Sequence, residues 1–365
     1  MKATLVIVCF CTLAYAETFA QLGGLSIPSG QPGSLTIAPD ARSAGMGEAG
    51  IASSADANAT FWNAAKLSVA DREIGVSASY GPWLKSLVDG VWLGYASAYK
   101  KLGEKQAVGL AVQYFDYEAY YGSGPIANAS DVALSGMYSR QLGQHFAMGL
   151  TLKYISSNIG NTVINRVSVH PGRTVAGDIS AFYHKRLKSE NADEDFNWSV
   201  GAVLSNLGSK VNYGGGGEYF LPTTLKVGGG VSYTASGKHK LGVIADLSKL
   251  MVPTPNNLQN SNAKPLIKGV IQSFSDAPGG FREEMQEIAL SMGAEYWYNN
   301  LIAIRGGYHG ENKNKGNQRF LTAGAGFRLL KNYTADVSYA IPVTKGAPIT
   351  RTFRVSLGAY FGNAG

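Results

Sequence analysis

The histidines are the side chains of this sequence best suited to acid–base or nucleophilic chemistry, and there are five of them. A hydrolase needs a nucleophile, a base and an orienting group that meet at one point. No histidine has the spacing to a serine or an aspartate that is typical of a hydrolase, and no HExxH motif or cluster of histidines and carboxylates predicts a metal site. The sequence therefore predicts no enzyme activity, no cofactor and no metal. The histidines are His145, His170, His184, His239 and His309.

Charged residues offer a second kind of chemistry. The stretch 282–287 is rich in glutamate and could bind Ca²⁺ or a basic partner, but a solvent-exposed helical turn explains it better. Four other charged residues fall on predicted inward faces of strands, where a buried charge needs a partner. We expect these four to form ion pairs that hold the N-terminal part of the chain. They are Asp246, Glu295, Arg305 and Arg328.

Composition restricts the class of protein further. The chain contains 46 Gly, 20 Tyr and 14 Phe, and only 16% of its residues are charged. Such a composition suits strands that carry small residues on one face and aromatic girdles on the other. The formal net charge of +7 is spread along the chain, whereas nucleic-acid binding would need a clustered basic patch. Nucleic acid is therefore not an expected partner.

Residues 1–20 have the features of a secretory signal peptide. A lysine at position 2 precedes about a dozen apolar residues, which are too few to span a bilayer as a helix. Cleavage is expected before Glu17 or before Gln21. Cys9 and Cys11 are the only cysteines, so a disulfide or a thiol site is not expected after cleavage. Acylation of one of them, as in a lipoprotein, is the alternative.

Fourteen segments with strand-like character follow from residue 72 onward. Apolar residues alternate with small or polar ones in several of them, but a soluble sandwich would show the same period of two. The predicted strands are 72–80, 90–100, 105–116, 131–141, 145–156, 173–186, 196–206, 222–234, 239–247, 288–298, 301–310, 319–329, 333–341 and 350–361.

The lengths of the connections favour a membrane barrel over a sandwich. Tight links at 101–104, 142–144, 235–238, 299–300 and 330–332, and a somewhat longer one at 187–195, alternate with long links. Outer-membrane barrels have short periplasmic turns and long external loops. We therefore predict an all-β fold, a transmembrane antiparallel barrel over 72–365, in the outer membrane of a Gram-negative bacterium with both termini periplasmic. The long links are 81–89, 117–130, 157–171, 207–221, 248–287, 311–318 and 342–349.

Residues 21–71 lack the period of two and are predicted to form a plug inside the barrel. Met46, Phe61 and Trp62 would be poorly placed in water. A short helix capped by Asp56 is expected within this segment. A flexible periplasmic leader is the alternative. The residues predicted to belong to the plug contacts are Pro39, Asp40, Arg42, Met46, Asp56, Trp62 and Asn63.

An ordered set of short motifs resembles the PorV family, outer-membrane proteins of the type IX secretion system. The resemblance covers essentially the whole chain after the leader, although no single piece is diagnostic. The motifs lie at 35–47, 54–58, 62–66, 80–84, 205–209, 221–226, 249–255, 273–280, 293–296 and 305–308.

The resemblance implies a FadL-like barrel of fourteen strands that is not itself a protease. It also implies a role: the protein accepts secreted cargo at a SprA-type translocon, recognises the C-terminal signal domain of the cargo, and carries it to a PorU-type sortase complex. Cargo is then attached to surface lipopolysaccharide. The alternatives are a FadL-type transporter of long-chain hydrophobic compounds and a lipid A deacylase-type barrel enzyme.

Binding of cargo is expected to use exposed aromatic and proline residues of the external loops, because they give rigid apolar contact. The longest loop, at 248–287, is the main candidate. Tyr117 could equally belong to the outer aromatic girdle. The residues predicted to contact a partner are Pro82, Trp83, Leu84, Tyr120, Tyr121, Pro253, Pro255, Phe274, Pro278 and Phe281.

Overall fold

A computed structural model shows a closed antiparallel barrel of fourteen strands. The predicted signal peptide and Leu84 lie outside the described residues. The structure describes residues 27–83, 90–117, 119–121, 124–126, 129–159, 163–164, 167–188, 193–214, 217–255, 261–343 and 352–362.

The barrel strands are numbered β1 to β14 in chain order. They are β1 Ile74–Pro82, β2 Trp92–Lys101, β3 Gln106–Asp116, β4 Ser130–Gln141, β5 Phe146–Asn158, β6 Gly172–Lys188, β7 Asp195–Gly208, β8 Thr224–Ala235, β9 His239–Leu250, β10 Ile288–Tyr298, β11 Ile302–Gly310, β12 Arg319–Leu329, β13 Tyr333–Pro342 and β14 Thr352–Phe361. Each strand matches a predicted segment to within a few residues, and the predicted fold class is confirmed.

Each strand pairs with its sequence neighbour, and β1 pairs with β14 from Ile74 opposite Phe361 to Tyr80 opposite Val355. Closure satisfies the backbone of both edge strands, as a sheet in lipid requires. One irregularity occurs between β6 and β7, where the register shifts between Gly177 and Ile179. The seven long connections share one end of the barrel, here the long-loop end, and the short ones share the other, the short-turn end.

The two faces of the sheet differ in chemistry. Large apolar residues face outward, with Leu110 and Leu152 each 70% exposed, while their neighbours Ala111 and Thr151 are buried on the inside. Tyr80, Trp92 and Tyr114 come from adjacent strands near the long-loop end, with ring centroids 5.7 and 5.2 Å apart. An apolar belt bordered by aromatic residues is the outer surface of a barrel that faces lipid.

Short helices occur only outside the barrel strands in the described chain. None of them is long and apolar enough to span a membrane. The α-helices are α1 Ala41–Ala44, α2 Ala59–Trp62, α3 Leu266–Gln272 and α4 Phe281–Glu284, and the 3₁₀ helices are Gly33–Thr36, Ala64–Val69, Ser261–Ala263 and Met285–Glu287. Short hairpins in three long loops pair Ala119–Tyr121 with Gly124–Ile126, Val163–Ile164 with Val167–Ser168, and Val211–Asn212 with Glu218–Tyr219.

The segment that precedes β1 runs through the lumen. At its start, the amide of Gln31 donates to the carbonyl of Phe220, in the long loop before β8. At its end, the carbonyl of Arg72 accepts from the Tyr99 hydroxyl, near the short-turn end. The described chain therefore begins at the long-loop end, whereas Phe361 ends β14 at the short-turn end. The segment thus crosses the lumen from the long-loop end to the short-turn end before β1 begins.

The outward apolar belt predicts how the barrel responds to a charge. We expect Leu110→Arg, in the middle of β3, to destabilise the barrel by about 2–4 kcal/mol, because a cation at mid-depth loses its hydration. Leu142→Arg, at a short turn, should cost no more than about 1 kcal/mol. Reversible folding into lipid vesicles, followed by the shift of the folded band on a gel, measures both. Equal stability of the two variants would contradict the assignment of the belt to lipid.

Candidate functional site

The long loop between β9 and β10 carries exposed apolar side chains on two short helical turns. On α3, Ile267 and Ile271 are four residues apart and share one face, and Phe274 follows. On α4 and the 3₁₀ turn after it, Phe281 and Met285 have the same spacing. Ile271 is 64% exposed and Phe281 is 80% exposed. We call Ile267, Ile271, Phe274, Phe281 and Met285 the loop-5 apolar surface.

Ion pairs fix the base of this loop to the barrel rim. Lys249, near the end of β9, donates to Glu284 at 2.9 Å and also to Glu287. Lys315, in the loop between β11 and β12, donates to Glu283 at 2.6 Å and to Glu287 at 2.9 Å. The helical turn predicted at 282–287 is present, but its three glutamates are not solvent-exposed, since they hold the loop in place.

The lumenal segment is joined to the barrel wall through Arg42. The guanidinium of Arg42 forms two hydrogen bonds with Glu295 of β10, at 3.0 and 2.9 Å, and one with Asp56 at 2.9 Å. Glu295 also accepts from Arg305 of β11 at 2.6 Å, and Arg305 pairs with Asp336 of β13 at 2.7 Å. Every charge of this network is partnered, as burial requires.

Other polar contacts hold the segment on the remaining sides. The carboxylate of Asp246 on β9 accepts from the amides of Gly50 and Ile51 at 2.7 and 2.9 Å. Inside the segment, Asp40 caps α1 through the amide of Ser43 and accepts from the Trp62 indole at 2.6 Å. Further wall contacts come from Tyr95, Gln113, Asp131, Ser180, Thr322, Arg354 and Ser356.

Two buried ionisable groups of the segment have perturbed pKa values. Burial lowers the pKa of Lys66 to about 8, although its ammonium donates to the carbonyl of Gly50 and the hydroxyl of Ser53. Burial, and then the neighbouring carboxylate of Asp56, raise the pKa of Asp40. Both shifts follow from taking a charge out of water.

Inward glycines allow the segment to contact the wall directly. A Cβ placed on Gly293 of β10 would lie 2.5 Å from Met46, and one on Gly307 of β11 would overlap the backbone of Met46 and Gly47. On β5, a Cβ on Gly149 would lie 2.5 Å from the amide of Ala65. The segment therefore fills the lumen at these heights to van der Waals contact.

Phe220 connects the start of the lumenal segment with α3. Its carbonyl accepts from Gln31, and its ring is so close to Gly269 of α3 that a Cβ there would lie 2.7 Å from it. Lys210 lies over the same ring at 4.7 Å and donates to the carbonyl of Asn262 at 2.6 Å. The position of α3 thus depends on packing that reaches the lumen.

The predicted loop residues separate into exposed and packed groups. Phe274, Pro278 and Phe281 are exposed, and Pro255 is half-buried. The expectation of an exposed side chain is wrong for Pro253, which is buried. Trp83 is half-buried and packs against Leu93, Phe115 and Phe320, with the Arg354 guanidinium 5.3 Å from its ring. These contacts remove Pro253 from the free surface and leave Trp83 only partly exposed.

The remaining predicted loop residues that the structure describes lie at a strand end, in a short hairpin or packed at the mouth of the barrel. Pro82 is the last residue of β1, opposite Trp92. Tyr117 donates to the carbonyl of Asn158 at 3.2 Å and packs beside Phe115, inside the mouth rather than in an outer girdle. The backbone of Tyr120 and Tyr121 forms part of a short hairpin.

All seven predicted plug residues lie in the lumenal segment, and Pro39, Asp40, Met46, Trp62 and Asn63 are buried there. Asn63 donates from its side-chain amide to the carbonyls of Ile51 and Ala181, at 3.1 Å each. Two details were predicted wrongly. Asp56 is not the N-cap of the short helix, because α2 begins after Asn58; the Asp56 carboxylate binds Arg42 and accepts from the amide of Asn58 at 2.9 Å. Arg328 packs 5.0 Å from the Trp297 ring instead of joining the ion pairs.

The structure also brings together a group that the sequence did not indicate. Ser291 and His309 are directly opposite on β10 and β11, with Ser291 Oγ 2.9 Å from His309 Nδ1. Glu311 Oε1 lies 4.0 Å from Nε2 of the same ring. These residue types form catalytic triads, but the buried ring of Phe320 stacks on His309 at 4.8 Å and covers one face. Only the strand register reveals this pair.

Comparison with known proteins identifies the family. The family described as type IX secretion system protein PorV matches residues 26–257, more than half of the chain. The chain belongs to the PorV family. The resemblance noted from the short motifs is thereby confirmed, and the protein is an outer-membrane β-barrel associated with type IX secretion. No curated protein sequence matches this PorV-family chain significantly.

Solved structures similar to this PorV-family barrel have the same FadL-like fold. The toluene transporter TbuX of Ralstonia pickettii is 12% identical, with a TM-score of 0.51 over 88% of this chain and 98% of TbuX. The monoaromatic hydrocarbon channel CymD is 13% identical, with a TM-score of 0.52 over 90% and 99%. The Pseudomonas putida toluene transporter TodX is 11% identical, with a TM-score of 0.51 over 89% and 99%. At such identities the likeness shows the fold alone.

The Arg42–Glu295–Arg305 network predicts a large loss of stability on removal of its central charge. Glu295→Gln should destabilise the barrel by about 3–5 kcal/mol, because two buried guanidinium groups lose part of their compensation. Arg186→Gln breaks an exposed pair with Asp195 and should cost no more than about 1 kcal/mol. Thermal unfolding in detergent compares the two. An unchanged melting temperature for Glu295→Gln would show that the network does not hold the segment.

The close contact at Gly30 predicts a coupling between the segment and α3. A Cβ on Gly30 would lie 2.6 Å from the backbone of Pro222, so Gly30→Ala must displace the neighbours of Phe220 at a cost of about 1–3 kcal/mol. We expect faster amide hydrogen exchange at residues 266–272 in this variant. Gly143→Ala, which meets nothing within 4 Å, is the matched control. Equal exchange in the two variants would exclude the coupling.

Proposed function

We propose that this PorV-family barrel binds secreted proteins with its loop-5 apolar surface and passes them on within the type IX secretion system. The observation that carries the proposal is a set of large apolar side chains left in water on two short helical turns. Exposed apolar patches of this kind are typical of sites for protein–protein contact. The bound element is the C-terminal signal domain of the cargo.

Membership of the PorV family supports the proposed partners. A SprA-type translocon would deliver the cargo, and a PorU-type sortase complex would receive it for attachment to lipopolysaccharide. In this scheme the long-loop end faces the cell exterior and the short-turn end faces the periplasm, as is usual for outer-membrane barrels. Neither PorV proteins nor channels of this fold are enzymes, and we propose no catalytic step for the barrel itself.

The way in which the loop is held favours tight binding. Lys249 and Lys315 fix the helical turn that bears Phe281 and Met285, through three glutamates. Phe220 and Pro253 pack against Gly269 on the inner side of α3. A surface that is already ordered loses little conformational entropy on binding, so more of the energy gained by apolar burial contributes to affinity.

Transport of hydrophobic compounds is the competing function, because TbuX and TodX are toluene transporters of the same fold. Such transport needs an apolar lumen pocket and an exit through the wall or the plug. In the described part of this barrel, the segment contacts the wall at Gly149, Gly293 and Gly307, and charged pairs occupy its middle. Each strand is also hydrogen-bonded to both of its neighbours around the barrel, with a register shift between Gly177 and Ile179 where β6 pairs with β7. These features support protein binding over transport.

The proposal is tested by removing the apolar character of the surface. The probe is the isolated C-terminal domain of a protein that the same cell secretes by the type IX route, with the barrel in detergent micelles. Phe281→Asp should weaken binding at least tenfold, because central apolar contacts contribute about 2 kcal/mol or more. Leu330→Asp is the control, since Leu330 is 85% exposed at the short-turn end, comparable to the 80% of Phe281.

Biolayer interferometry with the immobilised domain provides the affinities. Equal affinity of the Phe281→Asp variant and the wild-type barrel would place the contact elsewhere. Absence of any binding by the wild-type barrel, together with uptake of a labelled hydrocarbon by cells that produce it, would favour transport instead.

A further inference from the structure

In the described part of the loop between β9 and β10, the acidic side chains form ion pairs and two of the basic ones do not. Three of its acidic residues, Glu283, Glu284 and Glu287, face the barrel rim and are neutralised by Lys249 and Lys315. Its fourth described acid, Asp276, pairs with Lys264 at 3.2 Å and accepts from the amide of Thr254, also at 3.2 Å. The acids of the loop are therefore engaged in holding its own structure. They are not free to attract a partner.

Two cations of the same loop have no such engagement. Lys268 follows Ile267 on α3, and Arg282 follows Phe281 on α4. Both side chains are exposed, and neither forms an ion pair with any other residue that the structure describes. Each of the two helical turns that carry the loop-5 apolar surface thus has one exposed, unpaired cation next in sequence to an apolar residue, whereas the described carboxylates of the loop are all paired.

We propose that the loop-5 apolar surface recognises a protein surface whose apolar centre is bordered by carboxylates. The inference rests on the proposed function and specifies the chemistry of the partner. Apolar contact provides the affinity, whereas Lys268 and Arg282 select acidic partners and accelerate the encounter. A basic partner would bring positive charges next to Lys268 and Arg282, so the same surface binds it less well.

A protein partner fits this surface better than an anionic lipid. Apolar side chains at regular helical spacing on an ordered loop match an ordered complementary surface. On the barrel wall, by contrast, the contact with lipid is made by the outward belt and by the adjacent rings of Tyr80, Trp92 and Tyr114. Binding to lipopolysaccharide is therefore treated as an alternative outcome of the test.

The test is a double charge reversal, Lys268→Glu with Arg282→Glu, in the full barrel in detergent. The probe is the same isolated C-terminal domain of a type IX secreted protein. We expect the association rate at 50 mM salt to fall about tenfold or more, and the difference from the wild type to shrink greatly near 0.5 M salt, where charges are screened. The matched control reverses Lys105 and Lys238, two exposed lysines in short turns, and should bind like the wild type.

Four outcomes separate the possible readings. A loss confined to the Lys268/Arg282 reversal and sensitive to salt supports the inference. If the Lys268/Arg282 reversal binds with wild-type affinity and rate while Phe281→Asp still loses binding, the inference is overturned and the proposed function stands. No binding by the wild-type barrel overturns both. If the reversal abolishes binding to vesicles that contain lipopolysaccharide but leaves the protein probe unaffected, the cations serve a lipid and the inference is wrong. Circular dichroism and the heat-dependent gel shift confirm that each variant is folded.

Discussion

The structure depends on one constraint: a β-sheet surrounded by lipid cannot leave a free edge. The pairing of β1 with β14, from Ile74 opposite Phe361, meets that constraint by closing the sheet. Closure then assigns every side chain to one of two environments. Leu110 and the other outward residues of the strands face lipid. The residues between them face a lumen that must be filled by protein or by water. The other residues that the structure describes lie in that lumen or at its two ends.

The lumenal segment pairs with the charged inward side chains of the strands. Inward strand residues such as Glu295, Asp246 and Arg305 are charged, so an apolar plug would leave them without partners. The lumenal segment supplies Arg42 and the amides of Gly50 and Ile51 in the complementary positions. Because this segment fills the lumen, the proposed recognition uses side chains outside it, and the loop-5 apolar surface lies at the long-loop end.

The sequence was sufficient for the barrel and for much of the lumen, because both follow from local alternation and from the cost of burying a charge. It could not show which loop residues are free. Trp83 and Pro253 looked like exposed anchors but pack against Phe320 and Gly269, residues distant in the chain. It also missed Ser291 beside His309. A two-residue turn at 299–300 would pair Tyr298 with Leu301, whereas the observed partner is Ile302, and one residue of register changes every opposite pair.

The arrangement of charge on the loop between β9 and β10 meets two requirements of the proposed binding surface. To be ordered, the loop must contact the barrel. If its exposed apolar side chains made those contacts, they would be buried and could not bind a partner. At the turn that bears Phe281 and Met285 the ordering is electrostatic: Glu283, Glu284 and Glu287 bind Lys249 and Lys315, so the two apolar side chains stay exposed. Because the described carboxylates of the loop are taken up by ion pairs, Lys268 and Arg282 are left as unpaired charges on the two helical turns. The same ion pairs therefore give the surface both its rigidity and its positive border.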